Sequence, residues 1–119
     1  MMRRKGSVFL LLAIGATVMM LASHSVAEEP SKGMALYRGH CAVCHGIDGG
    51  GNGPKAPGMN PPPTNFRNAT LMRAMPDSQL ERAILAGKPG TAMKGYGTVM
   101  NPQDVAALIK HLRSLSVSP

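Results

Sequence analysis

The sequence predicts an all-α domain, and three observations carry that prediction. Apolar residues recur at helical spacing in three segments. Each of these segments begins or ends on capping residues. No stretch alternates apolar and polar residues as a half-buried strand would. The first helix is expected from about Ser31 into the Cys41 region, with Ser31 as N-cap after Pro30. Gly33, Leu36, Tyr37 and His40 share one of its faces. The second covers about Pro76 to Ala86. Pro76 suits the first helical position, Asp77 complements the helix dipole and Gly87 suits the stop. Leu80, Ala83 and Ile84 give its apolar stripe. The third runs from the N-cap Asn101 to about Leu115, with Pro102 first in the helix and Asp104 placed to complete a capping box. Its buried stripe is Val105, Leu108, Ile109, Leu112 and Leu115, with Lys110 and Arg113 outside.

The run Cys41-Ala42-Val43-Cys44-His45 contains the only two cysteines of the chain. This CxxCH spacing is that of a c-type haem attachment site. Each sulfur can add to one vinyl group of the porphyrin, and the two-residue spacer lets both thioethers form on one turn. The following histidine then lies under the macrocycle, where its imidazole can bind iron. A zinc site usually needs four ligands; there is no second cysteine pair, and His24, His40 and His111 lack a ligand spacing. A thioredoxin-like pair wants a βαβ context that is missing here. A disulfide across two residues would be strained. The Gly-, Pro- and Asn-rich stretch from Gly46 to Arg73 shows no strand pattern. A loop this long in a compact domain is either disordered or functional, and wrapping a cofactor is the functional version.

The N-terminus supplies the compartment. Arg3, Arg4 and Lys5 precede an uncharged apolar stretch from Val8 to Ala22, and Ser25-Val26-Ala27 is a small-x-small cleavage site. That is the layout of a secretory signal peptide over residues 1–27. The apolar core is short for a membrane span, which wants about 20 residues. A Sec-type route to the periplasm is expected, since covalent haem is normally attached after export. An uncleaved segment would instead anchor the protein to the inner membrane. The mature chain, 28–119, allows one domain. Its apolar core would be marginal alone. It has no Trp, and Tyr37, Phe66 and Tyr96 are its only Phe or Tyr residues. The porphyrin must therefore supply much of what is packed.

His45 provides one axial bond. Beyond the signal segment the chain offers Met34, Met59, Met72, Met75, Met93 and Met100 for the other, and most of these must fill gaps in the core. Met93 stands out by context: it lies in Gly90-Thr91-Ala92-Met93-Lys94-Gly95-Tyr96-Gly97, a loop between the second and third helices that can present a thioether from the distal side. Met100, just before the Asn101 cap, is the alternative. His40 directly precedes Cys41 and cannot easily reach the opposite face, and His111 reads as a surface or edge histidine.

On these residues the sequence resembles the small class I c-type cytochromes over nearly all of the mature chain. The resemblance rests on Gly33-Met34-Ala35-Leu36-Tyr37, on Cys41-Ala42-Val43-Cys44-His45-Gly46, on the Met93 loop and on the terminal segment from Val105 to Leu115. It implies a cytochrome c fold with one covalent haem held edge-out in a crevice. The first and last helices should cross near Gly33, and His45 and Met93 should be the axial ligands. By the same likeness, Pro57 matches the proline whose carbonyl accepts a hydrogen bond from the ligand histidine, with Pro54 as the weaker candidate. His111 departs from the aromatic residue that relatives often carry, and Met59 replaces a leucine.

Function follows from this ligand set. Iron with two strong protein ligands has no vacant position for substrate, and the thioether raises its potential. The sequence describes a one-electron carrier, not an enzyme, with the porphyrin edge as its port. Its partners would be redox donors and acceptors, either free or within a dehydrogenase or oxidase complex. The mature chain carries ten Lys or Arg against six Asp or Glu, a balance that suits acidic docking surfaces as well as plain solubility. No interleaving of basic and aromatic residues suggests nucleic-acid binding. A gas-sensing or catalytic haem would differ by a five-coordinate high-spin ferrous spectrum. The haem-free chain should be largely disordered. Circular dichroism of the Cys41→Ala, Cys44→Ala double variant at room temperature checks this: no cooperative thermal transition is expected, and observing one would refute the expectation.

Overall fold

The computed structural model describes residues 30–116, so the expected signal peptide, residues 1–27, lies outside the described residues. Five helices and no strand occur among the described residues: α1 (Lys32–His40), α2 (Ala42–His45), α3 (Ala69–Ala74), α4 (Asp77–Ala86) and α5 (Pro102–Leu115). None of them is long and apolar enough to cross a membrane.

Local chemistry sets the ends. Ser31 caps α1 by accepting from the Met34 N–H at 3.2 Å. The expected run into the Cys41 region divides there: Cys41 leaves ideal helix geometry (φ −115°, ψ −35°), and α2 restarts as a single turn. Asn101 and Asp104 form both halves of a capping box on α5, at 2.8 and 3.1 Å. Pro76 sits at the N-cap of α4 rather than inside it. Its φ of −69° suits a helix, but its ψ of 157° is extended, so the helix starts at Asp77. The helix α3 falls in what the sequence presents as the end of the long loop. Asn68 nucleates it by accepting from the Leu71 N–H at 3.0 Å.

The main packing in the fold is α1 across α5. Gly33 makes that crossing possible: a Cβ placed there would lie 2.1 Å from the Ala107 carbonyl oxygen and 3.0 Å from the His111 Cβ. Behind it, Tyr37, Leu108 and Leu112 join Val105, Leu80, Ile84, Phe66, Met72 and Met100 in one buried cluster. Burying each such side chain contributes roughly 1.5–3 kcal/mol. The expected stripe of α5 is the buried one: Val105, Leu108, Ile109 and Leu112 are buried, with Leu115 partly so. His111 lies half-buried at the edge of the crossing, its ring 5.1 Å from that of Tyr37.

Arg113 ties α5 to the α3–α4 junction. Its guanidinium donates to the Met72 carbonyl, to the Met75 carbonyl at 2.6 Å and to the Asp77 carboxylate at 2.7 Å. The Met75 carbonyl lies just past the end of α3, and the Met72 carbonyl shares its acceptance with the Met75 N–H at 3.3 Å. Asp77 is therefore a tertiary anchor as well as a dipole partner.

Two glycines of α1 should respond oppositely to the same change. Gly33→Ala should cost about 1–3 kcal/mol by overpacking the crossing. Gly39→Ala, whose Cβ would meet nothing within 4 Å, should gain about 0.4–1 kcal/mol. Thermal melts of the two holo variants give the signs. A second test uses pH. The Lys32 ammonium, 2.5 Å from Asp104, and then the Asn101 N–H hold the Asp104 carboxyl below its usual value. Its contribution is therefore present above the unfolded value near 3.9 and lost as pH falls through the lower folded value. Asp104→Asn should lower Tm at neutral pH, and the gap from the unsubstituted protein should close below about pH 4.

Candidate functional site

Cys41, Cys44 and His45 are brought together by one turn of chain. Cys41 is the hinge between α1 and α2, Cys44 lies within α2 and His45 ends it. Backbone bonds from His45 and Cys44 to the Cys41 carbonyl, at 2.9 and 3.2 Å, close the turn. Both cysteines are unbridged and partly buried. Burial, and then the neighbouring Cys44, push the Cys41 thiol up to about 11. Before attachment it is a neutral thiol near pH 7.

The loop after Gly46 builds the surroundings of His45. Gly53 donates to the Cys44 carbonyl at 3.0 Å and Lys55 to the Val43 carbonyl at 2.9 Å, so the end of α2 is capped by the loop's own backbone. The chain then turns at 56–59 and returns at 63–66. There the Thr64 carbonyl lies 3.0 Å from His45 Nδ1, and the Phe66 ring stacks on the imidazole at 4.5 Å with 22° between planes.

This overturns the expectation for Pro57. The carbonyl facing the histidine belongs to Thr64; Pro57 and Pro54 are both exposed. The physical reason is the docking of Gly53 and Lys55 on α2, which commits segment 53–55 to capping before the loop returns. A signal for Thr64 was present in Pro61-Pro62-Pro63-Thr64. Consecutive prolines hold an extended chain whose carbonyls have no internal partners.

Because a carbonyl can only accept, Nδ1 carries the proton and Nε2 is left with its lone pair. Burial holds the imidazole below its ordinary value, against the Thr64 hydrogen bond that raises it; the Lys88 charge lowers it further. Neutral imidazole in this tautomer is the form that binds a metal. The Tyr37 hydroxyl donates to the Gly46 carbonyl at 2.6 Å, so the core of the α1–α5 crossing grips the residue after His45. Tyr37 is fully buried, and burial raises its hydroxyl strongly.

Met93 stands half-buried in the loop between α4 and α5. Tyr96 of that loop donates to the His40 carbonyl at 2.9 Å, and its ring meets His40 edge-on at 5.3 Å. The loop is thereby fastened to the residue before Cys41. The sequence gives no period or motif for this link. Met100 is buried, 6% exposed, within the core cluster.

Two thiols and a tautomer-fixed imidazole on one helical turn fit covalent haem, and within this helical fold they define a c-type haem protein. The chain belongs to the cytochrome c family, whose model matches residues 30–116. It carries the covalent haem c of that family, with Cys41 and Cys44 at the attachment spacing. It is 35% identical over 85% of its length to dihydro-heme d1 dehydrogenase of Pseudomonas aeruginosa, and spans 18% of that protein. It is 31% identical over 77% of its length to cytochrome c55X of Stutzerimonas stutzeri, covering 73% of it. The solved KustC0563 c-type cytochrome superposes with a TM-score of 0.62 at 28% identity, over 71% of this chain and 98% of that one. The family and these likenesses make haem-based electron transfer the chain's class of function.

Proposed function

We propose that the protein is a periplasmic one-electron carrier whose iron is held between His45 and Met93. Bound haem supplies the ferric/ferrous couple, at a potential raised by a thioether ligand. The chain's part is to attach, orient and enclose. Cys41 and Cys44 would hold the porphyrin, and the Thr64 carbonyl would keep Nε2 of His45 turned to a single role. The hydrogen bond from Tyr96 to His40 carries the assignment of Met93, because it ties the methionine loop to the attachment turn. Met100 is accounted for as core filling by its burial within the core cluster.

The exposed surface supports docking of other redox proteins. Val43, between the two cysteines, is 42% exposed, and Val99 beyond the methionine loop is 64% exposed. Among the described residues Asp48, Asp77 and Asp104 are taken up in ion pairs with Arg67, Arg113 and Lys32. Lys88 acts on the His45 ring, and Lys94 lies 5.5 Å over the Tyr96 ring. An acidic partner surface would meet these cations and be steered by them. The dehydrogenase relative suggests partners of the dehydrogenase class, to which this chain would deliver or from which it would take electrons. Cleavage after Ala27 and export would place attachment in the periplasm.

An anaerobic redox titration of the periplasmic fraction with optical spectra tests the reading. The ferric protein should show the long-wavelength sulfur-to-iron band, and the ferrous protein should be low-spin. Met93→Ala should abolish the band and lower the potential with haem still attached, while Met100→Ala should keep the band and lower Tm. A band that survives in Met93→Ala and disappears in Met100→Ala would reverse the assignment. Haem-loaded protein found only in the cytoplasm would refute the location.

A further inference from the structure

The segment that bears Met93 is bolted to the end of α4 through two glycines. Tyr96 donates to the Ile84 carbonyl at 2.8 Å, Gly97 to the Leu85 carbonyl at 3.0 Å and Lys88 to the Met93 carbonyl at 3.0 Å. The Ile84 and Leu85 carbonyls are among the last of α4 and have no helical partner of their own. Contact this close leaves no room for side chains. A Cβ on Gly95 would lie 2.5 Å from the Leu85 carbonyl oxygen and 2.7 Å from the Ala86 carbonyl carbon. One on Gly87 would lie 2.7 Å from both the Gly95 nitrogen and the Met93 carbonyl oxygen. Gly87 also has φ +70°, which favours glycine independently. Gly95 carries no such backbone demand, so packing alone selects glycine there.

The turn that leads into Met93 is braced by one side chain. Thr91 Oγ1 donates to the Lys88 carbonyl at 2.6 Å and accepts from the Met93 N–H at 3.2 Å. The hydroxyl thus joins the two residues whose backbones also bond to each other, Lys88 and Met93.

We infer that Gly95 and Thr91 are positioning residues: together they clamp the Met93 backbone to α4 and so decide whether the thioether stays on the iron. The inference rests on Met93 being the ligand. A sulfur on a loop with fixed ends meets the metal at high effective concentration, whereas one on a loosened loop must be ordered each time it binds. The methionine itself makes the bond; the clamp makes it persist.

Four holo variants test this, with Gly39→Ala as a control glycine in open space. Haem content is measured by pyridine haemochrome, the sulfur-to-iron band in the ferric state, and carbon monoxide binding in the ferrous state. Gly95→Ala should keep haem at full stoichiometry, weaken or lose the band, and bind carbon monoxide about 5- to 140-fold faster, the factor that corresponds to a cost of about 1–3 kcal/mol at the clamp. Thr91→Val should move both readouts the same way, and Thr91→Ser, which keeps the hydroxyl, should restore them. If Gly95→Ala does not accumulate as holoprotein, the Thr91 pair decides alone. Full band and unchanged carbon monoxide binding in Thr91→Val, and in any Gly95→Ala obtained, with the band lost in Met93→Ala, would overturn the clamp and leave the ligand assignment standing. A band that persists in Met93→Ala would overturn the assignment and the clamp with it.

Discussion

The contact between Gly33 and the Ala107 carbonyl governs the rest of the molecule. Only a residue without a side chain lets α1 and α5 approach so closely. The approach buries Tyr37 against α5, and the buried hydroxyl then has a single carbonyl to serve, that of Gly46. An unpaired hydroxyl at that depth would cost about 1–3 kcal/mol, so the bond fixes the exit from α2 as firmly as it satisfies the tyrosine. His45 is the residue just before that exit. A helix crossing made for packing thereby determines where an imidazole stands.

Backbone carbonyls do most of the remaining positioning. Thr64 sets the tautomer of His45, Ile84 and Leu85 receive the methionine loop, His40 receives Tyr96, and Met72 and Met75 receive Arg113. Such acceptors belong to peptide units, which no side-chain substitution removes. The arrangement is therefore specified by where the chain runs more than by which side chains it bears. It also suits a protein with few large side chains, because hydrogen bonds to the main chain locate loops that a small core cannot grip.

This division explains what could be read beforehand. Caps and stripes are local, and they were legible: Ser31, Asn101 with Asp104, Gly87 and the apolar face of α5 all act as their spacing implies. The attachment turn was legible for the same reason, as a motif of five consecutive residues. Thr64 was not, because the identity of an acceptor carbonyl depends on where a long loop comes back, and the prolines mark extension without marking a destination. The short α3 was hidden by its neighbours: Asn68 is an ordinary cap, but the surrounding Asn- and Pro-rich composition masks the single turn and a half that follows it. The Tyr96–His40 bond joins residues far apart in the chain, beyond the reach of any periodicity.

Arg113 stands near the end of α5, yet it closes the junction between α3 and α4, and α5 itself is half of the crossing that buries Tyr37. The two cysteines lie far ahead of α5 in the chain, so they are made well before the segment that completes their surroundings. The loop's own backbone caps α2 without it, but Tyr37, whose hydroxyl holds Gly46, is buried only once α5 packs on α1. The order of residues along the polypeptide thus puts the closing contact last, with the final helix as the latch of the crossing.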